Sequence, residues 1–511
     1  MESTSSKSYL FWVPAIVLLG LAFWLRSESS QLRLFHADEG VQSYQAWRLI
    51  ETGEYRYDPS EHHGPLLYYL AKWMSPFLED EAGQLSDDGM RRVPILFSLA
   101  TLVLGLLAFR GEGMGLALLW GLLFAAAPLN VIYGSYFVQE ALLVCFTVVF
   151  LVAVYRYWQR PCWKWARVVG FSLGLMHVTK ETAVIHVMAI GLACVLVAWI
   201  RRNKISVGPL TLLKHASVAI AFALLLHCLF FSSFFRNPQG IWDGFATFFH
   251  YADRSQGQGH EKPMFYYLSL LLPQRLEGVR WGELAFLVAV LVGIFRTFWR
   301  VKEKGFSAFV VLSGLLMFLV YSLIPYKNPW LLLGPYCLLC FAAALGVVDL
   351  LRMGITEAEP LRRWTLLAAG GGVLLLVGAE LRVNVDKAIF RYASATRNPY
   401  LYMHTTPRYA KLLERLESVP AGIDVSVYSS DAAWPLPWHL RERERIGYWT
   451  DLETFERGGI DLIDTRLLEG REGLLGDGGF WELHGLRPNT LLALRADDGI
   501  AAEWIKANAK D

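Results

Sequence analysis

The chain has 511 residues, 54% of them hydrophobic, and its charged residues, only 18%, fall between long apolar runs; soluble chains carry about a quarter. A formal charge of +2, with no basic stripe and interleaved aromatics outside the flanks of apolar runs, excludes a nucleic-acid partner. Five of the six cysteines lie inside apolar stretches, and Cys337 and Cys340 read as small packing residues despite their CxxC spacing, so no disulfide framework is expected.

Read in chain order, the first apolar run, 9–25, lacks a small-residue cleavage site after it and reads as a retained membrane helix. A span needs about 20 apolar residues, and further candidates are 93–110, 114–133, 140–156, 166–180, 183–200, 212–235, 283–300, 306–324, 329–350 and 364–382, eleven in all. The segment 64–78 is short and interrupted by Lys72, and reads as an amphipathic helix on the membrane surface. "YRYWQRPCWKWAR", "RRNK", "RVKEK" and 352–363 are rich in Lys and Arg and belong inside, whereas the connectors 134–139, 179–182 and 325–328 hold at most one lysine. That asymmetry puts the N-terminus in the cytoplasm and places the loops 26–92 and 236–282, and the tail, outside. "GEGMG" and "AAGGGVLLL" read as a turn and as close helix packing. The expected organisation is a polytopic α-helical membrane domain, 1–383, and a small extracytoplasmic α/β domain, 384–511. In the tail, "TPRYAKLLERLESV" has helical spacing, and "IDVSVYSS" and "LLALRA" are strand-like.

The outer stretch "HADEGVQSYQAWRLIETGEYRYDPSEHHGPLLYYL" is denser in chemistry than a connector requires. Asp38 and Glu39 follow the first span, where a carboxylate serves either as a helix cap or as a general base toward a hydroxyl. Arg91 and Arg92 open the second span and suit a phosphate. Lys180, in "HVTKETA", is costly in lipid unless paired, and Glu181 is the adjacent partner. Lys327 lies in a Pro-broken outer turn, as a phosphate ligand or a snorkelling side chain. Glu140 opens another span on the same side, as an orienting group or a cap. These groups together point to a substrate with a lipid tail and a phosphate head.

The acidic pair, the "HHGPLLYYL" helix and "RVPILF" resemble the membrane glycosyltransferases of the GT-C fold. The resemblance is to the dolichyl-phosphate-mannose protein mannosyltransferase and aminoarabinose lipid A transferase superfamily, in its prokaryotic, flippase-associated branch. "YFVQEALLV", "TKETA" and "PYKNPWL" occur in the matching order. The resemblance implies an inverting enzyme of the cytoplasmic membrane that moves a sugar from a polyprenyl-phosphate donor to a hydroxyl of a lipid, glycan or protein. It implies Asp38 as base with Glu39 beside it, and one of Arg91 or Arg92, with Lys180 and Lys327, at the donor phosphate. His62, His63, Tyr57, Glu140 and Glu181 would orient acceptor or sugar. No nucleotide loop and no cofactor are required; His36, Asp38, His62 and His63 are the candidates for a possible divalent metal. The loop 236–282 reads as a mobile lid. A lipid-linked glycan transporter and a non-catalytic scaffold are the competing classes, and ionisable groups gathered at the outer ends of spans, without internal repeats, favour the enzyme over the transporter.

Overall fold

The computed structural model describes residues 3–202, 207–254, 259–475 and 480–508. Part of the inner "RRNK" connector and residues 255–258 of the expected lid lie outside them.

Among the described residues, eight helices are long and apolar enough to cross a membrane: Tyr9–Leu32, Asp87–Glu112, Glu140–Gln159, Ala183–Arg201, Pro209–Phe231, Gly305–Leu323, Pro329–Thr356 and Pro360–Arg391. The chain is a multi-pass membrane protein, and large side chains such as Trp199, Leu213, Leu291 and Leu375 stay exposed on the bundle, as a lipid-facing surface requires. The other three predicted spans are shorter. The 114–133 run breaks into Met114–Ala126 and Pro128–Tyr133, with Ala127 extended between them, because a residue before proline is driven out of the helical region. Trp163–His177 and Leu284–Trp299 have 15 and 16 residues.

The contact map divides the chain into two compact units. One comprises Met1–Gln31, Leu49–Ala393 and Arg397–Tyr400, and the other Leu32–Arg48, Ser394–Thr396 and Leu401–Asp511. This partition differs from the expected boundary at 383/384: residues 32–48 of the first outer loop group with the tail.

In the helical unit, Pro329–Thr356 is buried almost throughout, while Pro360–Arg391 is largely exposed. Small residues let the central helix touch its neighbour backbone to backbone. A Cβ on Gly293 would lie 1.8 Å from the Ala342 carbonyl oxygen, the close approach that drives association where lipid supplies no hydrophobic force. In "AAGGGVLLL" only Gly370 packs, against Leu351 and Leu350; Gly371 and Gly372 face open space. "GEGMG" is a turn, with Gly113 at φ +136°. The 64–78 segment contains a short helix with one face turned into the protein and Trp73 exposed. Its helix, Leu66–Met74, buries Leu66, Leu67, Tyr68, Tyr69 and Ala71, and Leu66 N–H bonds the Val178 carbonyl at 3.0 Å.

The Leu284–Trp299 helix is capped by another helix. Glu380 accepts from Ala285 N–H at 2.9 Å through each carboxylate oxygen and from Phe286 N–H at 3.2 Å. Such a cap satisfies donors that lipid cannot. Glu380→Ala should therefore cost about 1–2 kcal/mol, read as a lowered melting temperature of the detergent-solubilised chain, with Glu380→Gln retaining part of the stability.

The second unit carries a mixed five-stranded sheet; β1 (Gln274–Leu276) and β2 (Val279–Trp281) form a separate hairpin in the helical unit. The sheet contains β3 (Val425–Tyr428), β4 (Ile446–Trp449), β5 (Ile460–Asp464), β6 (Phe480–Arg487) and β7 (Thr490–Ala496), in the order β4-β3-β5-β7-β6. β3 pairs parallel with β4 and β5, and β7 antiparallel with β5 and β6. β3 and β7 fall in the two strand-like pieces. The predicted helix is Arg408–Glu417, whose Tyr409, Leu412 and Leu416 pack on Val425, Val427, Leu462 and Leu494.

Candidate functional site

The acidic pair lies in the second unit, at the start of the helix Ala37–Thr52. His36 is the N-cap: its carbonyl accepts from Gly40 N–H at 2.9 Å, and its Nδ1 accepts from Asp38 N–H at 3.0 Å. Three residues on, Glu39 reaches back and accepts from His36 N–H at 3.0 Å. This is a reciprocal capping box with histidine in the place of Ser or Thr. The ring's Nε2 lies 2.8 Å from the Tyr402 carbonyl. A carbonyl only accepts, so the proton sits on Nε2 and the ring is neutral. Glu39 is fully buried, with Arg33 at 3.8 Å.

Asp38 is different. It is half-buried, and no hydrogen bond or ion pair engages its carboxylate among the described residues. The helix cap consumes Glu39 and leaves Asp38 available. His404 is buried, which depresses its pKa to about 4.

The remaining candidates lie in the helical unit, where two turns interlock. The "HHGP" turn meets the Val178–Thr182 turn so closely that a Cβ on Gly64 would fall 2.3 Å from the Val178 oxygen. That places His63 Nδ1 3.0 Å from Glu181 Oε2. The Tyr251 hydroxyl, on the helix Gly240–Arg254, reaches the same nitrogen at 2.9 Å. Gly64→Ala pushes against backbone, which cannot swing away. It should cost about 1–3 kcal/mol and separate His63 from Glu181, seen as a lower melting temperature of the detergent-solubilised chain.

Lys180 is buried, and its ammonium bonds Glu140 at the start of Glu140–Gln159, not its sequence neighbour Glu181. Burial pushes the lysine pKa down, but Glu140 and Glu181 outweigh it and the net shift is upward. Burial likewise raises Glu181, but His63 and Lys180 reverse that and hold it below the usual carboxylate range. Both groups are therefore charged.

The other candidates have structural partners. Tyr57 hydroxyl lies 2.5 Å from Thr247 Oγ1 and donates to the His62 carbonyl at 3.2 Å; His62 Nδ1 lies 3.2 Å from Tyr55 hydroxyl. Arg91 is buried and donates to the Ser30 carbonyl at 2.6 Å, and Arg92 donates to Phe77 at 2.5 Å. Lys327 donates to the carbonyls of Lys262 (3.1 Å) and Ile324 (2.5 Å), and burial lowers its pKa. Of the metal candidates, His36 has both ring nitrogens engaged, His62 and His63 bond tyrosine and Glu181, and no group of three His, Cys, Asp or Glu among the described residues is placed to hold a metal.

Sequence reasoning missed several buried polar residues. His186 bridges Thr147 at 2.8 Å and Tyr321 at 3.0 Å, and His177 meets His227 at 2.8 Å. A histidine inside an apolar run was the available signal; Tyr251 carried none.

Residues 62–232 match the family model described as dolichyl-phosphate-mannose-protein mannosyltransferase. No curated protein matches the chain. Among solved structures, ArnT from Cupriavidus metallidurans bound to undecaprenyl phosphate is similar over 96% of this chain and 98% of its own, at 14% identity and a TM-score of 0.64. The archaeal oligosaccharyltransferase AglB from Archaeoglobus fulgidus, in complex with an inhibitory peptide and a dolichol-phosphate, is similar over 87% of this chain and 65% of its own, at 13% identity and a TM-score of 0.59. The chain has the GT-C fold of these membrane proteins.

Proposed function

We propose that this chain is a glycosyltransferase of the prokaryotic cytoplasmic membrane that moves a sugar from a polyprenyl-phosphate donor to a hydroxyl acceptor on the outer face, with inversion. The observation that carries the reading is the division of labour between adjacent carboxylates: Glu39 is committed to the helix cap, while the Asp38 carboxylate is left half-buried and without a partner among the described residues. A general base needs a carboxylate not already engaged. The fold supports it, since ArnT and AglB of this fold hold undecaprenyl phosphate and dolichol-phosphate.

In the proposed reaction, Asp38 takes the acceptor's proton as its oxygen bonds the anomeric carbon. The bond from that carbon to the phosphate oxygen breaks, and its electron pair leaves with the lipid phosphate. Lys180, charged and fixed by Glu140, supplies positive potential on the phosphate side. Arg91, Arg92 and Lys327 are assigned to anchoring, since each donates to at least one backbone carbonyl. The basic connectors support an orientation with the N-terminus inside and the tail outside.

The test is sugar transfer from undecaprenyl-phosphate sugars in membranes that contain or lack the chain, with surface glycans and glycolipids followed by mass spectrometry. A product that depends on the chain supports the reading. Movement of the lipid across vesicles without any glycosylated product would replace it with transport.

A further inference from the structure

We propose that His63, backed by Glu181, is the acid that protonates the departing lipid phosphate; this rests on the transfer reading above. Glu181 is buried and ionised, so it only accepts. At 3.0 Å it fixes a proton on His63 Nδ1, with the Tyr251 oxygen as a second acceptor at 2.9 Å. The second ring nitrogen, Nε2, has no hydrogen-bond partner among the described residues, and the side chain is 24% exposed. A carboxylate behind one nitrogen and an open second nitrogen is the arrangement by which an imidazole is oriented for proton transfer. Around Glu181 stand Lys180, His177, Tyr321 and Tyr57, with Glu140 beyond Lys180; none of them hydrogen-bonds His63.

The chemistry of the leaving group gives this nitrogen a task. In the donor the phosphate is a diester with a single, strongly acidic ionisation. Once the bond to the sugar breaks, it becomes a monoester whose second pKa is about 6, close to the imidazole reference of about 6.5. Its proton affinity thus enters the histidine range only as the bond breaks, and a proton offered there stabilises the transition state more than the ground state. In the full step, the acceptor oxygen bonds the anomeric carbon and loses its proton to the base. The carbon–phosphate oxygen bond breaks toward phosphate, the Nε2 proton passes to a phosphate oxygen, and water restores it. His63 is the catalytic residue here and Glu181 a positioning residue.

The experiment uses the full chain in lipid nanodiscs with undecaprenyl-phosphate mannose, glucose and aminoarabinose, counting both transfer and release of free sugar to water. In the wild type, kcat should fall as pH rises through the imidazole range. His63→Asn keeps an N–H toward Glu181 and removes Nε2; His63→Gln keeps a donor near Nε2 that does not transfer a proton. Both should lower kcat by about 10²-fold or more with KM little changed, and both should lose the alkaline limb. Glu181→Gln should keep that limb, moved to lower pH, because it removes a negative charge that favours the imidazolium. A variant that retains the wild-type limb, or raises only KM, overturns the acid role while the transfer reading stands. A wild-type chain that turns over none of the donors overturns the transfer reading and the acid with it.

Discussion

Asp38→Asn is expected to lower the proposed sugar transfer in membranes by about 10²–10⁴-fold, while the chain still accumulates and melts near the wild-type temperature. The physical reason is the absence of any partner for this carboxylate among the described residues. Asparagine keeps the size and the backbone N–H to His36 Nδ1 but no longer accepts a proton. Glu39→Gln gives the contrasting result: it weakens the link to His36 N–H and the pairing with Arg33, so it lowers stability first and activity through it. Transfer assays and thermal unfolding on the two variants separate these outcomes. Full activity in Asp38→Asn removes Asp38 as the base.

Lys180→Met gives the largest stability loss, about 3–5 kcal/mol. The ammonium is buried against Glu140, and Glu181 is its other nearby anion. Removing it leaves the buried Glu140 carboxyl facing an apolar side chain in place of its ammonium partner. Adding Glu140→Gln to Lys180→Met should restore most of the loss, since a matched neutral pair spares both desolvation penalties. Thermal unfolding across the cycle of two singles and one double measures the coupling. An additive double variant would show that the pair is not the source of the effect. The same cycle sorts structure from chemistry: a double variant that is stable but inactive assigns the lysine charge to the phosphate side.

Much of the membrane region was legible because spanning segments must be long and apolar, and eight of the expected runs are such helices. The break at Pro128 was visible in the residues, yet it was hidden by treating 114–133 as one hydrophobic run. Lys180 shows the deeper limit. Charge and burial were readable at that position, but the partner was not: Glu181 adjoins it in sequence, whereas Glu140, forty residues earlier, adjoins it in space. The role of Glu39 was half-visible, since a Glu three residues after a cap is a known signature, but histidine is an uncommon N-cap. The interlocking of Gly64 with Val178 was not readable at all, because a glycine in a turn gives no sign of which backbone it will meet.

Residues 32–48 are built into the tail's own fabric. Phe35 stacks on Trp438 at 5.9 Å, the Phe35 carbonyl accepts from Thr405 at 2.6 Å, and a Cβ on Gly40 would lie 2.7 Å from Pro435. The tail is therefore not a transplantable module. Grafting 384–511 onto a relative, or expressing it alone, would strip it of a segment that completes its packing. A chimaera that exchanges tails must carry 32–48 along, and with it Asp38. The proposed base and the tail thus share one packed unit, so a substitution that loosens the packing on Phe35 or Gly40 also disturbs the segment that carries that carboxylate.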